Sequence, residues 1–408
     1  MPLSRRSFAI NAALAAAGCA APRPLTSAAS VSQGHAAPSG GAGGEPELST
    51  MLALAGVPGI ARATIEAGRP ASIEVHGVAD AESSAPLRAD TLFEAASLSK
   101  PTVAYVTLLL ADRGALDLDA PISDLLGASP VPGDARGARI TVRHALSHSS
   151  GLQNWRFRAG DELVIAFDPG TRFQYSGEGF VLVQRVLERL TGSAFATLMR
   201  RELFAPLGMT DATFLWHAGV TGRLARPHGG RGGAQESFAQ KGGRALAEYA
   251  AKLTPPRDAA TLTYPELESA AATLAPSSPA FPNFILPNAA ASLLATPGDY
   301  ARFVALLLDD GDAPAALRLR PATRRAMHTA HVQVAPGLAW GLGIGLEERA
   351  AGTLLWHWGD NGGTKNFVVA DSVRRRGHLV FTNGSGGLKV AERLLRVEYG
   401  PLASFLWV

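Results

Sequence analysis

Hydrophobic residues fill almost every position between Pro101 and Ala111. A helix that is apolar on all sides is typical of a protein interior, because a surface helix keeps one polar face. Proline is tolerated in the first turn of a helix, and Gly114 is typical of the position just after a helix ends. The pattern therefore predicts a buried helix that opens next to Pro101 and ends before Gly114.

Short apolar runs near both ends of the chain predict strands. The first two, at residues 61–64 and 71–79, flank a turn at 68–70 and predict an antiparallel hairpin. Further strands are predicted at residues 353–358, 366–370 and 377–382, and at 340–346, where glycine alternates with bulky residues. Helices are predicted at residues 178–190, 244–252, 297–308 and 388–397, the last with Val390, Leu394 and Val397 on a stripe that faces a sheet.

These elements predict a mixed α/β fold, in which an antiparallel sheet has helices on both faces and a second lobe is mostly helical. The α/β lobe is predicted from both ends of the chain, residues 47–120 and 289–408, and the helical lobe from residues 121–288. Within it, residues 217–288 are rich in Gly, Pro and Ala and are interpreted as lid and loop material around one helix at 244–252. A cleft between two lobes is where a ligand site is expected.

Residues 1–19 have the features of an export signal. Arg5 and Arg6 precede an apolar stretch, residues 8–17, that is too short to cross a bilayer, which resembles a twin-arginine signal. The segment that ends at Cys19 resembles a lipobox, so both a lipid anchor at Cys19 and ordinary cleavage nearby stay open. Residues 20–46 are predicted to form a flexible linker, because they are rich in Ala, Pro, Ser and Gly. The protein is therefore predicted to act in the periplasm.

Composition narrows the function classes. The chain of 408 residues is 47% hydrophobic and 18% charged, enough to bury a large core. Its net charge of +3 comes from scattered arginines without a basic stripe, which argues against nucleic-acid binding. With Cys19 as the only cysteine, an intrachain disulfide and a four-cysteine zinc site are excluded. The expected partner is a small molecule, and no cofactor is implied.

Candidate chemistry lies at the start of the predicted core helix, in the tetrad Ser97-Leu98-Ser99-Lys100. Residues three apart share a helix face, so the Ser97 hydroxyl and the Lys100 amine are expected to meet, with the positive end of the helix dipole directed at the hydroxyl. The chain has 5 Lys against 33 Arg, and Lys100 alone has a serine three residues before it. Because a buried lysine can lose its proton and an arginine cannot, the pair predicts a serine nucleophile activated without histidine. The alternative is a chance pairing on a surface turn.

Three further residues have side chains suited to catalysis or ligand binding. Tyr175 is predicted on a rigid loop just before the helix at residues 178–190, a position typical of a presented functional group, with ordinary packing as the alternative. His144 and His148 lie four residues apart and could share a helix face as metal ligands. No third ligand is close in the sequence, so packing and hydrogen bonding are favoured and no metal site is predicted.

Three motifs, in this order, resemble those of the serine hydrolases related to class C β-lactamases: Ser97-x-x-Lys100, Tyr175-Ser176-Gly177 and His357-Trp358-Gly359. The family also includes penicillin-binding D,D-peptidases, D-aminopeptidases and carboxylesterases. The likeness covers roughly residues 48–397, apart from 217–288. The resemblance implies the transpeptidase fold of β-lactamases and penicillin-binding proteins, and hydrolysis through an acyl-enzyme.

The same resemblance implies a role for each residue. Ser97 is the acylated nucleophile, Lys100 helps to take its proton, and Tyr175 is a second acid–base group whose phenol the nearby ammonium keeps partly ionised. The backbone N–H groups of Ser97 and Asp360 form the oxyanion hole. The strand motif His357-Trp358-Gly359 contributes to substrate binding.

Two departures from the family pattern concern the substrate. Gly177 stands where the family has Asn, whose amide contacts the acyl side chain of a β-lactam or peptide, and His357 stands where many members have Lys. Both argue against an efficient β-lactamase and for esters, short amides or D-amino-acid peptides. Trp356 and Trp358 flank His357, and one of them is expected to line the acyl pocket. The alternatives are a class C-like β-lactamase and a non-hydrolytic cell-wall binder that has lost turnover.

Overall fold

Strands come from the two ends of the chain, and helices from all of it. The computed structural model describes residues 47–157, 161–230, 233–274, 287–308, 311 and 313–408. The strands are β1 (Gly59–Glu66), β2 (Arg69–Asp80), β3 (Ala85–Pro86), β4 (Phe93–Glu94), β5 (Leu294–Ala295), β6 (Val332–Ala335), β7 (Leu338–Trp340), β8 (Gly345–Arg349), β9 (Gly352–Asp360), β10 (Lys365–Asp371) and β11 (Arg376–Thr382). The α-helices are α1 (Leu48–Ala55), α2 (Ser99–Asp112), α3 (Ile122–Leu126), α4 (Val142–Leu146), α5 (Gly177–Thr191), α6 (Phe195–Met199), α7 (Ala205–Leu207), α8 (Phe238–Lys252), α9 (Tyr264–Leu274), α10 (Pro297–Leu308), α11 (Pro321–Met327) and α12 (Gly387–Tyr399). The predicted export signal, the linker and Cys19 lie outside the described residues.

Nine strands form one antiparallel sheet in the order β3-β2-β1-β11-β10-β9-β8-β7-β6, and β4 pairs with β5 separately. The predicted hairpin is the pair β1–β2. The strands predicted at 353–358, 366–370 and 377–382 are β9, β10 and β11. Because β1 pairs with β11, with Ala61 opposite Phe381, the sheet joins both ends of the chain.

Side chains of β11 show that helices cover both faces of this sheet. The ring of Phe381 lies 5.8 Å from that of Tyr300 in α10. His378 instead hydrogen-bonds through Nδ1 with the hydroxyl of Tyr399 in α12, at 2.9 Å. Odd and even positions of a strand point to opposite faces, so α10 and α12 lie on different faces. The predicted mixed α/β fold, with helices on both faces of an antiparallel sheet, is confirmed.

The helix predicted from the apolar run is α2, and it is buried along most of its length. Every residue from Ser99 to Leu110 is buried. The helix ends at Asp112, two residues before Gly114, which has φ +75°. The position of Pro101 in the first turn agrees with the prediction.

The single strand predicted at residues 340–346 is wrong. The structure has β7 and β8 there, joined by a turn over residues 341–344. A Cβ atom at Gly343 would lie 2.2 Å from Cβ of Ala104 in α2, and one at Gly341 would lie 2.1 Å from the carbonyl oxygen of Met327. The glycines therefore do mark a close approach, but through a turn that packs on the core helix.

Residues 217–288 contain more helix than predicted, so the interpretation as one helix among loops is wrong. Helix α8 begins at Phe238, and α9 is a second helix. The Ser237 hydroxyl caps α8 by accepting a hydrogen bond from Gln240 N at 3.1 Å. Apolar residues of both helices pack with residues of α5 and of two loops in a second, smaller core, whose buried members are Val181, Leu215, Leu246, Ala250, Leu262, Tyr264 and Leu267.

The last predicted helix is α12, but its buried stripe differs from the prediction. Val390 is buried, whereas Val397 is 71% exposed. Ala391 and Leu395 are buried instead. Residues spaced four apart from Gly387 in the first turn share a helix face, and this face includes Ala391 and Leu395 but not Val397. No helix in the described part of the chain has the length and apolar character needed to cross a membrane. The division into two lobes stays a prediction.

Candidate active site

Ser97 lies in a 3₁₀ turn, Ala96–Leu98, that runs directly into α2. It is half-buried, whereas residues 91–96 and 98–100 are buried. The start of the core helix therefore reaches the surface at the Ser97 hydroxyl, next to the positive end of the helix dipole.

The backbone just before Ser97 has an uncommon conformation. Ala96 has φ +51°, in the left-handed region that residues other than glycine seldom adopt. The Ser99 hydroxyl donates to the carbonyl oxygen of Ala96 at 2.6 Å and accepts from Leu293 N at 3.0 Å. Strained backbone persists only where its surroundings hold it, and these bonds hold the turn that carries Ser97.

Lys100 is buried beside the Ser97 hydroxyl. Its Nζ donates to Oγ of Ser97 at 3.1 Å and to the carbonyl oxygen of Ala290 at 2.9 Å. Nζ also lies 4.6 Å from the centroid of the Tyr175 ring. Burial lowers the pKa of Lys100 well below its ordinary value, and no carboxylate within the described ranges pairs with it. A neutral amine in this position can accept the serine proton.

Tyr175 lies on the loop just before α5, where the Ser176 hydroxyl caps the helix by accepting from Gly179 N at 2.9 Å. The Tyr175 ring packs against the rings of His148, at 4.2 Å between centroids, and Trp358, at 4.8 Å. The structure thus brings Ser97, Lys100 and Tyr175 together from two distant parts of the chain, as the motifs predicted.

The Tyr175 phenol is protonated in this environment. Burial raises its pKa; the nearby Ser97 hydroxyl lowers it and the Asp360 charge raises it further. The Ser97–Tyr175 pair does not have the geometry of a hydrogen bond, since Oη of Tyr175 has no hydrogen-bond partner among the described residues. The expectation that an ammonium keeps the phenol partly ionised is wrong, because burial favours the neutral forms of both Lys100 and Tyr175.

The strand motif lies in β9, whose Gly359 touches the turn before the nucleophile. A Cβ atom at Gly359 would lie 2.2 Å from the carbonyl oxygen of Ala95, so no other residue fits this approach. From the neighbouring strand β10, opposite Gly359, the Asn366 amide donates to the carbonyl oxygen of Glu94 at 2.9 Å and ties the sheet to the same turn. The N–H groups of Ser97 and Asp360 therefore belong to backbones in direct contact, which is what a shared oxyanion hole requires.

His357 supplies no positive charge to the site. It is fully buried, and its Nδ1–H donates to the carbonyl oxygen of Trp358 at 2.7 Å. Burial lowers the pKa of His357 to about 3, although the bond to Trp358 opposes this. The imidazole is therefore neutral. Lys365, in the neighbouring strand β10, forms an ion pair with Asp360.

Of the two tryptophans that flank His357, Trp358 lies at the site. Trp356 is fully buried in the core, and its ring stacks on that of Trp358 at 5.8 Å. Trp358 is half-buried and contacts the Tyr175 ring. Of the two tryptophans, Trp358 is therefore the one whose position agrees with the expectation that one of them lines the acyl pocket.

Trp155 occupies the space in which a side chain at Gly177 would lie. A Cβ atom at Gly177 would be 2.6 Å from Cζ2 of Trp155. The Gly177 N–H donates to Oδ1 of Asn154 at 2.8 Å. The sequence indicates that the Asn side chain of the family is missing at Gly177. It does not indicate that the indole of Trp155 fills this space, since nothing in the local sequence relates Trp155 to Gly177.

His144 and His148 bind different backbone amides and not a common ligand. Nδ1 of His144 accepts from Thr141 N at 3.3 Å, which caps α4. Nδ1 of His148 accepts from Ser176 N at 3.1 Å. Both imidazole rings therefore accept hydrogen bonds from the backbone, which agrees with the favoured interpretation. Within the described ranges, no group of three or more His, Cys, Asp and Glu side chains is placed to hold a metal ion.

A buried amine bonded to a serine hydroxyl, a neutral phenol and two converging backbone segments are the parts that acyl transfer needs. The sequence profile of the beta-lactamase family matches residues 48–399, which is most of the chain. The chain belongs to the beta-lactamase family. This is the family that the three motifs predicted.

Two relatives align with shorter segments of this beta-lactamase-family chain. Esterase EstB of Burkholderia gladioli is 34% identical over 167 residues, which is 34% of this chain and 42% of the relative. Penicillin-binding protein 4* of Bacillus subtilis (strain 168) is 31% identical over 155 residues, 33% of each protein. The chain thus aligns with less than half the length of either relative.

A solved structure extends the likeness to most of the fold. The D-alanine carboxypeptidase AmpC from Burkholderia cenocepacia has a TM-score of 0.64 at 18% identity, covering 86% of this chain and 97% of that one. Likeness at this identity concerns the fold, and it confirms the predicted β-lactamase and penicillin-binding-protein architecture.

Proposed function

We propose that this beta-lactamase-family hydrolase cleaves esters, and more slowly short amides, through an acyl-enzyme at Ser97. The observation that carries the proposal is the 3.1 Å contact between Oγ of Ser97 and Nζ of Lys100, in which the amine is buried and its pKa is lowered. A base of this kind serves ester hydrolysis at neutral pH.

For each step of the reaction, a residue of the site can transfer the proton or stabilise the charge that the step requires. Lys100 takes the proton of Ser97 as Oγ attacks the ester carbonyl, and the N–H groups of Ser97 and Asp360 stabilise the oxyanion. When the bond to the leaving alkoxide breaks, the Tyr175 phenol gives that oxygen its proton, and the Lys100 ammonium returns a proton to the phenolate. Water then attacks the acyl-enzyme by the same steps in reverse and regenerates Ser97.

The surroundings favour neutral esters over β-lactams, which carry a carboxylate. The imidazole of His357 is neutral, and Lys365 is already paired with Asp360. The side chains near the catalytic groups include the indoles of Trp155 and Trp358, which can pack against the apolar part of an ester substrate. EstB, by its name an esterase, supports the same choice, whereas penicillin-binding protein 4* represents the β-lactam-recognising alternative.

We expect kcat/KM for p-nitrophenyl butyrate to exceed that for a chromogenic cephalosporin by about 10- to 100-fold, because a hydrogen bond to a charged group contributes about 1.5–3 kcal/mol to recognition. Steady-state assays of both substrates on one enzyme preparation measure the ratio. A D-alanine p-nitroanilide in the same panel measures amide hydrolysis. A cephalosporin cleaved as efficiently as the ester would contradict the proposed preference while leaving the acyl-enzyme mechanism intact.

A further inference from the structure

His148 has an unusual backbone for a buried histidine. Its φ is +55°, in the left-handed region, and its side chain is fully buried. It follows α4 and lies directly under the loop that carries Tyr175. A residue other than glycine in this conformation is destabilising by about 1–3 kcal/mol, so the surroundings must hold it there.

This conformation lets one residue hold the chain on both sides of Tyr175. The carbonyl oxygen of His148 accepts from Gln174 N at 2.8 Å. Nδ1 of the same residue accepts from Ser176 N at 3.1 Å. Between these bonds, the imidazole lies 4.2 Å from the Tyr175 ring, with the planes at 36°.

The imidazole acceptor is available in a single form. Because Nδ1 accepts the Ser176 N–H, the ring proton is on Nε2. Burial lowers the pKa of His148 well below its ordinary value. The ring therefore stays neutral, and its lone pair on Nδ1 is not lost to protonation.

We propose that His148 is a positioning residue, which fixes the Tyr175 phenol relative to Ser97 by bonding the backbone before and after Tyr175 and packing on its ring. The inference rests on the proposed function, in which Tyr175 transfers a proton. Misplacement of a catalytic group by about 1 Å can lower a rate by about 100-fold, so a residue that sets this position controls kcat without touching the substrate.

Two variants separate the hydrogen-bond acceptor of His148 from its aromatic ring. Both His148→Gly and His148→Asn tolerate a left-handed φ, so neither is burdened by backbone strain. Asparagine also keeps an acceptor, because its Oδ1 is bonded to Cγ just as Nδ1 of histidine is. Glycine removes the acceptor and the ring together. His144→Asn is the matched control, since His144 caps α4 and does not contact Tyr175 in the described structure.

A double-mutant cycle with Tyr175→Phe tests whether His148 acts through the phenol. The readout is kcat for ethyl butyrate per active site. Active sites are counted by complete fluorophosphonate labelling, so that misfolded protein is not included in the enzyme concentration. We expect His148→Gly to lower kcat by about 10- to 100-fold with KM within about threefold, and to have less than a twofold effect when Tyr175 is already Phe. His148→Asn should stay within about threefold of the unmodified protein, and His144→Asn should leave kcat unchanged.

Equal losses from His148→Gly in the two backgrounds would overturn the inference, since a structural role does not require the phenol. If His148→Gly does not fold, His148→Asn takes its place in the cycle, and equal losses from His148→Asn in the two backgrounds would overturn the inference. An unmodified protein that labels at Ser97 but does not hydrolyse esters would contradict the proposed function instead, and labelling rates would then replace kcat in the same cycle.

Discussion

Replacing Lys100 with methionine is expected to lower kcat/KM for ester hydrolysis by about 10⁴-fold, the upper end of what general base catalysis contributes. Nζ of Lys100 is the only base in the described structure that is bonded to Oγ of Ser97. Methionine has a similar length and no proton acceptor of this strength. Lys100→Arg should lose as much, because a guanidinium stays protonated. Lys389→Met, at an exposed lysine of α12, is the matched control and should keep full activity.

The pH profile gives an independent check of the same residue. Burial depresses the pKa of Lys100, and the neutral amine is the active form. Activity should therefore be lost as the pH falls through this depressed pKa, and it should reach its plateau well below the ordinary lysine pKa of about 10.4. Values of kcat/KM from acidic to alkaline pH measure this limb. A plateau reached only near the ordinary lysine pKa, or Lys100→Arg with nearly full activity, would contradict the assignment.

Replacing Tyr175 with phenylalanine is expected to lower kcat for alkyl esters by about 100-fold or more, the range of acid catalysis by a positioned side chain. The ring contacts with His148 and Trp358 remain, and Oη has no hydrogen-bond partner in the described structure. The melting temperature should therefore not fall, so any loss reports on chemistry. The measurement is kcat together with thermal unfolding of both proteins.

The leaving group distinguishes an acid from a structural residue. If the phenol gives a proton to the departing oxygen, Tyr175→Phe should affect an ethyl ester more than a p-nitrophenyl ester, whose leaving group needs no proton at neutral pH. Equal effects on both esters would assign Tyr175 to another step. An unchanged rate on both would leave Lys100 as acid and base together.

Much of the fold follows from local patterns. Helix α10 begins and ends at Pro297 and Leu308, as predicted, because a proline suited to the first turn opens a segment that ends in an apolar run at residues 303–308. Strands β9, β10 and β11 were predicted within a few residues, since these apolar runs between turns have the length of a strand and are too short for a typical helix. The turn between β7 and β8 was missed because alternating Gly and bulky residues fit both a strand and a close-packed turn, and only contact with Ala104 decides between them.

The site divides in the same way. The Ser97–Lys100 pair was predicted from its spacing in the sequence, and Tyr175 from the resemblance to the motifs of the family. Trp155 and the positioning contacts of His148 were not, because both depend on which loops meet. The protonated state of Tyr175 was also mispredicted, since burial, which decides it, becomes known only when the chain is folded. Local chemistry was therefore predictable, and the environment that tunes it was not.

Covalent labelling at Ser97 tests the central claim most directly. The protein is incubated at neutral pH with a fluorophosphonate, and the modified peptide is mapped by mass spectrometry, with Lys100→Met as the comparison. We predict one label per chain, on Oγ of Ser97, formed much more slowly in Lys100→Met. An unlabelled Ser97, or a label on another residue, would contradict the acyl-enzyme and favour a non-hydrolytic binder.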